Sequence, residues 1–472
     1  MVICLLPLNV AYGQFVHPPC HHLHFENLQT LQMLQTTQSN LTKALPALDG
    51  IRGIASFIVL IFHGLLPYGP ALNYGFGADG NYGVHQLPIF RLMYHGPTMV
   101  CMFYIISGYL LSLKSLRLIR QAAWAPAFHS LSSSSFRRPI RLFLPAVVST
   151  FITMLLHWFG FFETAAIRGQ EIGGVRPTEF ELPVPHLETF GAQLGHWFTE
   201  SLHMMNAFAW ERRYNPYNPH LWTLASELRA SYVLFVTILV LARLKFGVRL
   251  SVACFMALVS AYYQKWEIAN SLGGMILAEV ELSYGTGNET SRKPSHQWNK
   301  VQKWKRQQHF LIVFVMGLYV ASYPKLKGPD TPGFHTLSRL TPYGFDPANW
   351  WQSLGALIIV LSVNNSPDVQ WLFNTRLAQY LGRLSLSIYI VHGPVMHSLG
   401  LVVITSSWKY TGKDTPLQKA VNFLACATIV IPAIFLVAEL FWRLVDKPCG
   451  KFTRWVERKL VSVVAIAEIK EQ

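Results

Sequence analysis

The chain has 472 residues, of which 51% are hydrophobic and only 13% are charged. A soluble domain averages about 25% charged residues, so the composition excludes soluble domains with charged surfaces and predicts an integral membrane protein. The formal net charge is +15. Because no nucleic-acid motif accompanies this charge, we interpret it as Lys and Arg at cytosolic helix ends and expect no nucleic acid as a partner.

Apolar runs recur along the chain at lengths that suit membrane helices. We therefore predict an all-α fold, a polytopic transmembrane helix bundle of about ten helices in the lipid bilayer. A flexible cytosolic tail at 1–44 and a cytosolic C-terminal tail at 449–472 are expected to flank a membrane domain at 45–448, whose segment 163–221 is expected to form an ordered loop over one mouth of the bundle. The predicted spans are 51–67, 98–116, 140–162, 222–243, 248–265, 266–281, 309–324, 348–364, 378–400 and 420–443.

The distribution of Lys and Arg orients this bundle. With both termini in the cytosol, the inner segments hold about twice as many basic residues as the outer ones, although the outer segments are together longer. We expect the endoplasmic reticulum or another endomembrane. This topology places the glycosylation patterns at Asn40, Asn288 and Asn364 in the cytosol, so none should be modified. Glycosylation of Asn288 in a microsomal assay would contradict the topology.

The first span carries the most informative polar pattern. Arg52 and His63 are eleven positions apart, which is about three turns plus 20°, so both lie on one helix face, roughly 16 Å apart along the axis. An ionisable residue inside a span usually faces a cavity or a partner. A neutral imidazole there is either a general base or a structural hydrogen-bonding group. Asp49, three residues before Arg52, favours a functional site.

Five segments of the chain, in this order, carry a family resemblance. They are LDGIRGIASFIVLIFH (48–63), FYIISGY (103–109), FRRPIRLFLP (136–145), LWTLASE (221–227) and YLGRLSLSIYIVHGPV (380–395). Together they resemble the membrane acyltransferase-3 family, with its Arg-x10-His motif, over about residues 45–448, and they look most like its fungal members of small-molecule biosynthesis.

The resemblance implies an O-acyltransferase that takes an acyl group from acyl-CoA on the cytosolic side and transfers it to a hydroxyl. It implies that His63 is catalytic, with Asp49 and Arg52 beside the donor. Acetyl-CoA is the expected co-substrate, with no bound cofactor. The expected acceptor is a lipophilic alcohol, such as a terpenoid or a polyketide.

The basic run before the third span is the candidate donor site. The charge and planar geometry of Arg138 and Arg141 suit the phosphates of CoA. The alternative is positive-inside anchoring, which we favour for Arg137. Ser107 is grouped with the donor-binding residues, although the Ser107-Gly108 pair also suits close helix packing.

Two further ionisable residues have open interpretations. Glu227 is a candidate catalytic residue that pairs with His63 or contacts the acceptor, and its alternative is a buried ion pair with Arg229. His392 is either a second polar site or a structural histidine. Asp446-Lys447-Pro448 is expected to end the last helix at the cytosolic face.

Metal chemistry is not indicated by the sequence. The six cysteines are scattered and form no Cys-x-x-Cys pair, so neither a zinc site nor a disulfide framework is predicted. Three alternatives to the assigned function are kept: a small-molecule transporter, a non-catalytic membrane receptor or scaffold on the same fold, and an acyltransferase that acts on carbohydrate.

Overall fold

The structure is a computed structural model that describes residues 46–163, 184–285 and 300–461. The predicted N-terminal tail, the sequence patterns at Asn40 and Asn288, and residues 462–472 lie outside the described residues. Within the described ranges the chain forms helices and their connections, without a β-strand.

The α-helices are numbered in chain order. They are α1 (Pro46–Leu65), α2 (Gly96–Arg120), α3 (Trp124–Trp158), α4 (Phe190–Met205), α5 (Trp222–Leu241), α6 (Phe246–Tyr262), α7 (Trp266–Gly285), α8 (Lys300–Ala321), α9 (His335–Leu340), α10 (Pro347–Asn365), α11 (Pro367–Phe373), α12 (Arg376–Val395), α13 (Leu401–Thr411), α14 (Pro416–Phe441) and α15 (Lys447–Leu460). One π-helical turn, Met396–Gly400, joins α12 to α13, and a second, Trp442–Asp446, joins α14 to α15.

Each of the ten predicted spans coincides with a helix, and the predicted all-α bundle is confirmed. Six of the described helical segments are long and apolar enough to cross a membrane. They are Pro46–Tyr68, Gly96–Arg120, Trp124–Trp158, Pro219–Leu241, Arg376–Thr411 and Pro416–Leu460. Two further apolar helices, Phe246–Tyr262 and Gln308–Ala321, are shorter. The protein is therefore an integral membrane protein.

Local sequence explains where several helices begin. The side chain of Thr375 accepts a hydrogen bond from the Ala378 amide at the start of α12. Thr415 begins α14 with a capping box closed by Gln418, and Pro416 occupies the first turn. These groups satisfy amides that have no partner inside the helix.

Helix α3 differs from the prediction. Its 35 residues run from Trp124 to Trp158, so the basic segment that was predicted as a loop is helical. A helix of this length extends about 52 Å, which exceeds the ~30 Å hydrocarbon core of a bilayer. α3 is therefore longer than one bilayer crossing requires, and its N-terminal half carries Arg137, Arg138 and Arg141.

The last membrane helix also differs from the prediction. The segment Asp446-Lys447-Pro448 was expected to end this helix. Instead, the π-helical turn Trp442–Asp446 leads directly into α15. Proline is tolerated at this point because Pro448 falls in the first turn of α15, where its missing N–H would have no intrahelical partner. The expectation that the helix ends at these residues is wrong.

Glycines allow two central helices to approach closely. A side chain at Gly108 of α2 would meet the backbone of Ser271 in α7, and one at Gly274 of α7 would meet the backbone of Ile105 and Tyr109. Small residues at such crossings are typical of membrane helices, where packing replaces the hydrophobic effect. The packing interpretation of the Ser107-Gly108 pair is thereby supported for Gly108.

A buried ion cluster joins three helices near the same region. The carboxylate of Glu279 in α7 is fully buried and accepts hydrogen bonds from Arg120 of α2, at 2.7 Å, and from Arg249 of α6. Arg249 is itself almost fully buried. Charges at this depth need partners, so the cluster fixes α2, α6 and α7 relative to one another.

Candidate active site

Helix α1 presents its two predicted polar residues at opposite ends. Near its start, Arg52 donates hydrogen bonds to Asp49, at 3.2 Å, and to Ser385 of α12, at 3.3 Å. His63 lies in the last turn of the same helix. Gly53 and Gly382 let α1 and α12 touch backbone to backbone, which aligns the polar residues of both helices along one path.

Three histidines from different parts of the chain meet at the far end of α1. His220 Nε2 lies 3.2 Å from His63 Nδ1, and the two rings are 4.2 Å apart and nearly perpendicular. The His392 ring lies 5.2 Å from His63 and 4.5 Å from His220. His220 and His392 are buried, and His63 is partly buried. We call this set the histidine cluster.

Contacts from α12 hold the His220 backbone in place. Asn218 Nδ2 donates to the Ile390 carbonyl at 2.7 Å, and the Tyr389 hydroxyl donates to the His220 carbonyl at 2.5 Å. Gly393 leaves the space that the ring needs, because an added Cβ there would lie 2.6 Å from His220 Nδ1 and 2.9 Å from Asn218 Oδ1. The short turn Pro219–Leu221 is thereby pinned against α12.

The hydrogen bonds define where the protons lie. His392 Nδ1 is 3.1 Å from the Ile388 carbonyl, which can only accept, so Nδ1 carries the proton and Nε2 is left with a lone pair. His392 Nε2 is buried and has no hydrogen-bond partner among the described residues. Between His63 Nδ1 and His220 Nε2, one nitrogen donates and the other accepts.

The cluster also has the dimensions of a metal site. One nitrogen from each of His63, His220 and His392 can be chosen so that all three lie within 4.8 Å of one another, which is close enough to hold an ion. The sequence indicated no metal because the cysteines are scattered. These three histidines are far apart in the sequence and come together only in the folded chain.

A cavity of about 580 Å³ leads from the start of α1 to the histidine cluster, where His392 forms part of its wall. We call it the arginine cavity. Every predicted site residue except His63 lines it: Asp49, Arg52, Ser107, Arg138, Arg141 and Glu227. The structure thus brings together residues that are up to 178 positions apart in the chain.

Six charged residues of the arginine cavity form ion pairs with one another, and a seventh, Arg383, lies over the rings of Tyr380 and Trp442. Arg138 bonds to Glu227 at 2.5 Å and to Ser107 at 2.7 Å, and Arg141 bonds to Asp446 at 3.2 Å. Glu227 was expected to pair with His63 or with Arg229, and both pairings are wrong.

The expected partner of Glu227 is used elsewhere. Arg229 lies 3.7 Å from Glu267 and donates to the Ala207 carbonyl at 2.7 Å. Residues 227 and 229 point in different directions because they are two positions apart on a helix. Glu227 therefore faces Arg138 of α3, whereas Arg229 faces Glu267 of α7.

A second, much smaller cavity, of about 50 Å³, touches the histidine cluster from another side. Its walls include His63 and His220, and the rest is mostly hydrocarbon side chains. We call it the apolar cavity. His63 is therefore the predicted site residue that lies outside the wall of the arginine cavity.

Sequence reasoning missed His220 and only partly identified His392. His220 directly precedes the LWTLASE segment, which is its only signal in the sequence. His392 was left open between a polar site and a structural residue, and the structure places it in the cluster.

A membrane bundle with a buried histidine cluster at the end of a charged cavity belongs to the class of integral membrane enzymes. A family model described as an acyltransferase domain matches residues 45–442, and the chain belongs to this family, the acyltransferase-3 family. The protein is an O-acyltransferase.

Two curated fungal relatives are similar over most of their length. O-acetyltransferase PaAT-1 of Phomopsis amygdali is 29% identical over 397 residues, which cover 80% of this chain and 77% of the relative. Acyltransferase clz18 of Cochliobolus lunatus is 30% identical over 395 residues, which cover 79% and 83%. No solved structure matches the chain.

Proposed function

We propose that this protein transfers an acyl group, acetyl in the simplest case, from acyl-CoA to the hydroxyl of a small lipophilic molecule in small-molecule biosynthesis. The observation that carries the proposal is the position of His63, in contact with His220 beside the end of a cavity lined by four arginines. The name of one relative, an O-acetyltransferase, favours acetyl. A terpenoid or polyketide alcohol fits the hydrocarbon residues beside His63.

His63 is proposed as the general base. The alcohol oxygen attacks the thioester carbonyl carbon while His63 takes the hydroxyl proton. The new C–O bond forms and the C–S bond breaks. The proton then passes from His63 to the departing sulfur, so the products are an ester and free CoA. No bound metal or cofactor takes part in the proposed steps.

His220 is proposed to position His63. We assign the proton of the shared hydrogen bond to His63 Nδ1, which leaves His63 Nε2 as the base. His220 Nδ1 then carries the second proton of this ring; Nδ1 and the neighbouring Asn218 Oδ1 are both buried, and neither has a hydrogen-bond partner among the described residues. A second residue that fixes the tautomer and orientation of a catalytic imidazole is a recurring arrangement in enzymes.

The arginine cavity is proposed to take the donor. Its arginines suit phosphate groups, and Arg52, fixed by Asp49, lies on the helix that also carries His63. Arg138 is held by Glu227, whereas the Arg141 side chain is 45% exposed. Arg141 and Arg383, which is also exposed and lies over the Trp442 ring, are therefore the arginines most available to an incoming anion. We propose that this mouth faces the cytosol, where acyl-CoA is made, with both termini on the same side.

Replacing Arg141 tests the donor site. Arg141→Glu is expected to raise the KM for acyl-CoA roughly tenfold or more, because a charge-assisted hydrogen bond contributes about 1.5–3 kcal/mol. Arg141→Gln, which avoids repulsion with Asp446, should raise it in the same direction but less. Initial rates in membranes at varied acyl-CoA concentrations measure both. Lys451→Glu, at an exposed position of α15, is the matched charge control. An unchanged donor KM in both Arg141 variants would remove it from the donor site.

The reaction itself is tested with membranes from a host that expresses the chain. Labelled acetyl-CoA and a panel of lipophilic alcohols are supplied, and esters and free CoA are measured by mass spectrometry. Equal amounts of new ester and free CoA are expected. Uptake of an intact alcohol without any ester, from acetyl-CoA or from longer acyl-CoAs, would instead support a transporter. Esters formed only on sugars would support the carbohydrate alternative.

A further inference from the structure

Helix α15 has two sides of different character. Five of its 14 residues are basic and one, Glu457, is acidic. The basic residues are Lys447, Lys451, Arg454, Arg458 and Lys459. The buried residues of the helix are Cys449, Gly450 and Thr453. With 3.6 residues per turn, the buried residues share one side of α15 and most of the basic ones point away from it.

The buried side of α15 is held by α3. Glu457 pairs with Arg137 at 3.4 Å and accepts a hydrogen bond from the Ser133 hydroxyl. At the other end of the helix, Asp446 pairs with Arg141 at 3.2 Å. These contacts at both ends fix the rotation of α15 about its axis, so the fold determines which of its side chains face outward.

The outward side carries positive charge that the protein does not neutralise. Arg454, Arg458 and Lys459 are exposed, and none of them forms an ion pair with an acidic residue in the described part of the chain. Arg454 and Arg458 are four positions apart, and like charges at this spacing on a helix repel each other. A negatively charged surface outside the protein would remove this repulsion.

Two aromatic side chains accompany these charges. Phe452 and Trp455 are 48% and 50% exposed, and their stacked rings have centroids 5.7 Å apart. Tryptophan is enriched at membrane–water interfaces, where its ring sits at the level of the lipid headgroups. Exposed aromatic rings beside Lys and Arg are typical of helices that lie on a membrane surface.

The position of α15 in the chain brings its outward side close to the bilayer. Helix α14 has 26 residues, which extend about 39 Å and exceed the ~30 Å hydrocarbon core. The π-helical turn Trp442–Asp446 then joins α14 to α15 without a loop. Because α15 begins where a membrane helix ends, lipid headgroups are the nearest charged surface outside the protein.

We propose that the last two turns of α15 bind the surface of an anionic phospholipid membrane. The residues concerned are Phe452, Arg454, Trp455, Arg458 and Lys459, which we call the lipid-facing set. The three cations pair with the headgroups of lipids such as phosphatidylserine, and the two rings enter the interface beneath them. A soluble anion would satisfy the charges but would leave both rings in water, so charge and apolar area together select a lipid surface.

The proposal is independent of the acyl-transfer reaction. None of the lipid-facing set lines the arginine cavity or the apolar cavity. The ion pair between Asp446 and Arg141 nevertheless places the start of α15 at the wall of the arginine cavity. Lipid binding by α15 would therefore anchor the segment that carries one wall of this cavity to the membrane surface.

Hydrogen exchange of the full chain in lipid nanodiscs tests the proposal without a substitution. Exchange of the amides of α15 is compared between discs of phosphatidylcholine alone and discs in which part of this lipid is replaced by phosphatidylserine. We expect slower exchange in the anionic discs, and a smaller difference at high salt, because salt screens exposed charges. Helix α13 serves as the internal reference. Equal exchange of α15 in both kinds of disc would overturn the proposal.

A triple variant with Arg454→Gln, Arg458→Gln and Lys459→Gln removes the charge and keeps residues that favour a helix. The measured quantity is the ratio of phosphatidylserine to phosphatidylcholine that the purified protein retains from an equal mixture, determined by native mass spectrometry. One basic residue near an anionic surface contributes about a fivefold preference, so we expect the triple variant to lower this ratio at least about fivefold.

The matched control removes three exposed cations from other segments that the proposed topology places on the same side. It combines Lys114→Gln, Arg243→Gln and Lys245→Gln and should change the retained ratio little. An equal fall in both triple variants would reflect net charge alone and would overturn the site.

The aromatic contribution is tested by combining Phe452→Ala with Trp455→Ala, which keeps every cation. This variant should exchange faster than the unaltered protein at α15 in anionic discs. Exchange as slow as in the unaltered protein would show that the rings do not enter the interface and would overturn that part of the proposal.

Discussion

His63→Ala is expected to abolish ester formation while leaving the abundance of the protein in membranes unchanged. The substitution removes the imidazole that contacts His220 and lines the apolar cavity. A positioned general base contributes roughly 10²–10⁴-fold to a rate, so the residual activity should fall below detection in most assays. Ester and free CoA are measured by mass spectrometry, with labelled acetyl-CoA as donor and immunoblotting for abundance.

The control for His63→Ala is His309→Ala, which removes an exposed imidazole from α8. His220→Ala should give an intermediate loss, mainly in kcat, because it removes the group that orients the base but not the base itself. Turnover of His63→Ala close to that of the unaltered protein would remove His63 from the mechanism and leave His392 as the imidazole nearest to the arginine cavity.

The same assay separates proton transfer from metal catalysis. The three histidines are close enough to hold an ion, but the proposed mechanism uses His63 as a free base. A membrane-permeant chelator is therefore expected to leave the initial rate unchanged over the time of the assay. Loss of activity on chelation, followed by recovery when zinc is returned, would assign the cluster to a metal instead.

The helices were predictable because apolar runs of suitable length must be helical in a bilayer. The relation between Arg52 and His63 was predictable for a similar reason, since both lie on one helix and its period fixes their common face. The basic half of α3 was not, because hydropathy identifies the apolar part of a helix and does not indicate how far the helix continues beyond it.

The partners of the site residues were less accessible to sequence reasoning. His220 approaches His63 because two hydrogen bonds hold its turn against α12. One joins Asn218 to Ile390, which is 172 positions away in the chain, and the other joins His220 to Tyr389, which is 169 positions away. Glu227 pairs with Arg138, 89 positions away, and not with nearby Arg229. Periodicity reveals which residues share a face of one helix, whereas the neighbour of that face depends on how all the helices pack.

Glu279→Ala is expected to destabilise the folded protein strongly. It leaves the guanidinium of Arg249 buried without its counterion, and Arg120 loses the same partner. Removing one member of a buried ion pair typically costs about 3–5 kcal/mol, because the remaining charge keeps its desolvation penalty. The partners of Glu279 were not predictable from the sequence, because they lie 159 and 30 positions away in the chain.

Thermal unfolding of the protein in detergent, together with its abundance in membranes, measures this loss. Glu439→Ala is the matched control, because it breaks an ion pair with Arg443 whose side chain is 65% exposed, and exposed pairs contribute only about 0–1 kcal/mol. Replacing Arg249 by Met together with Glu279→Ala should recover part of the stability, since the more deeply buried of the two uncompensated charges is then gone. A loss of less than about 1 kcal/mol in Glu279→Ala would mean that water reaches Arg249 and that packing at Gly108 and Gly274, not the ion cluster, fixes these helices.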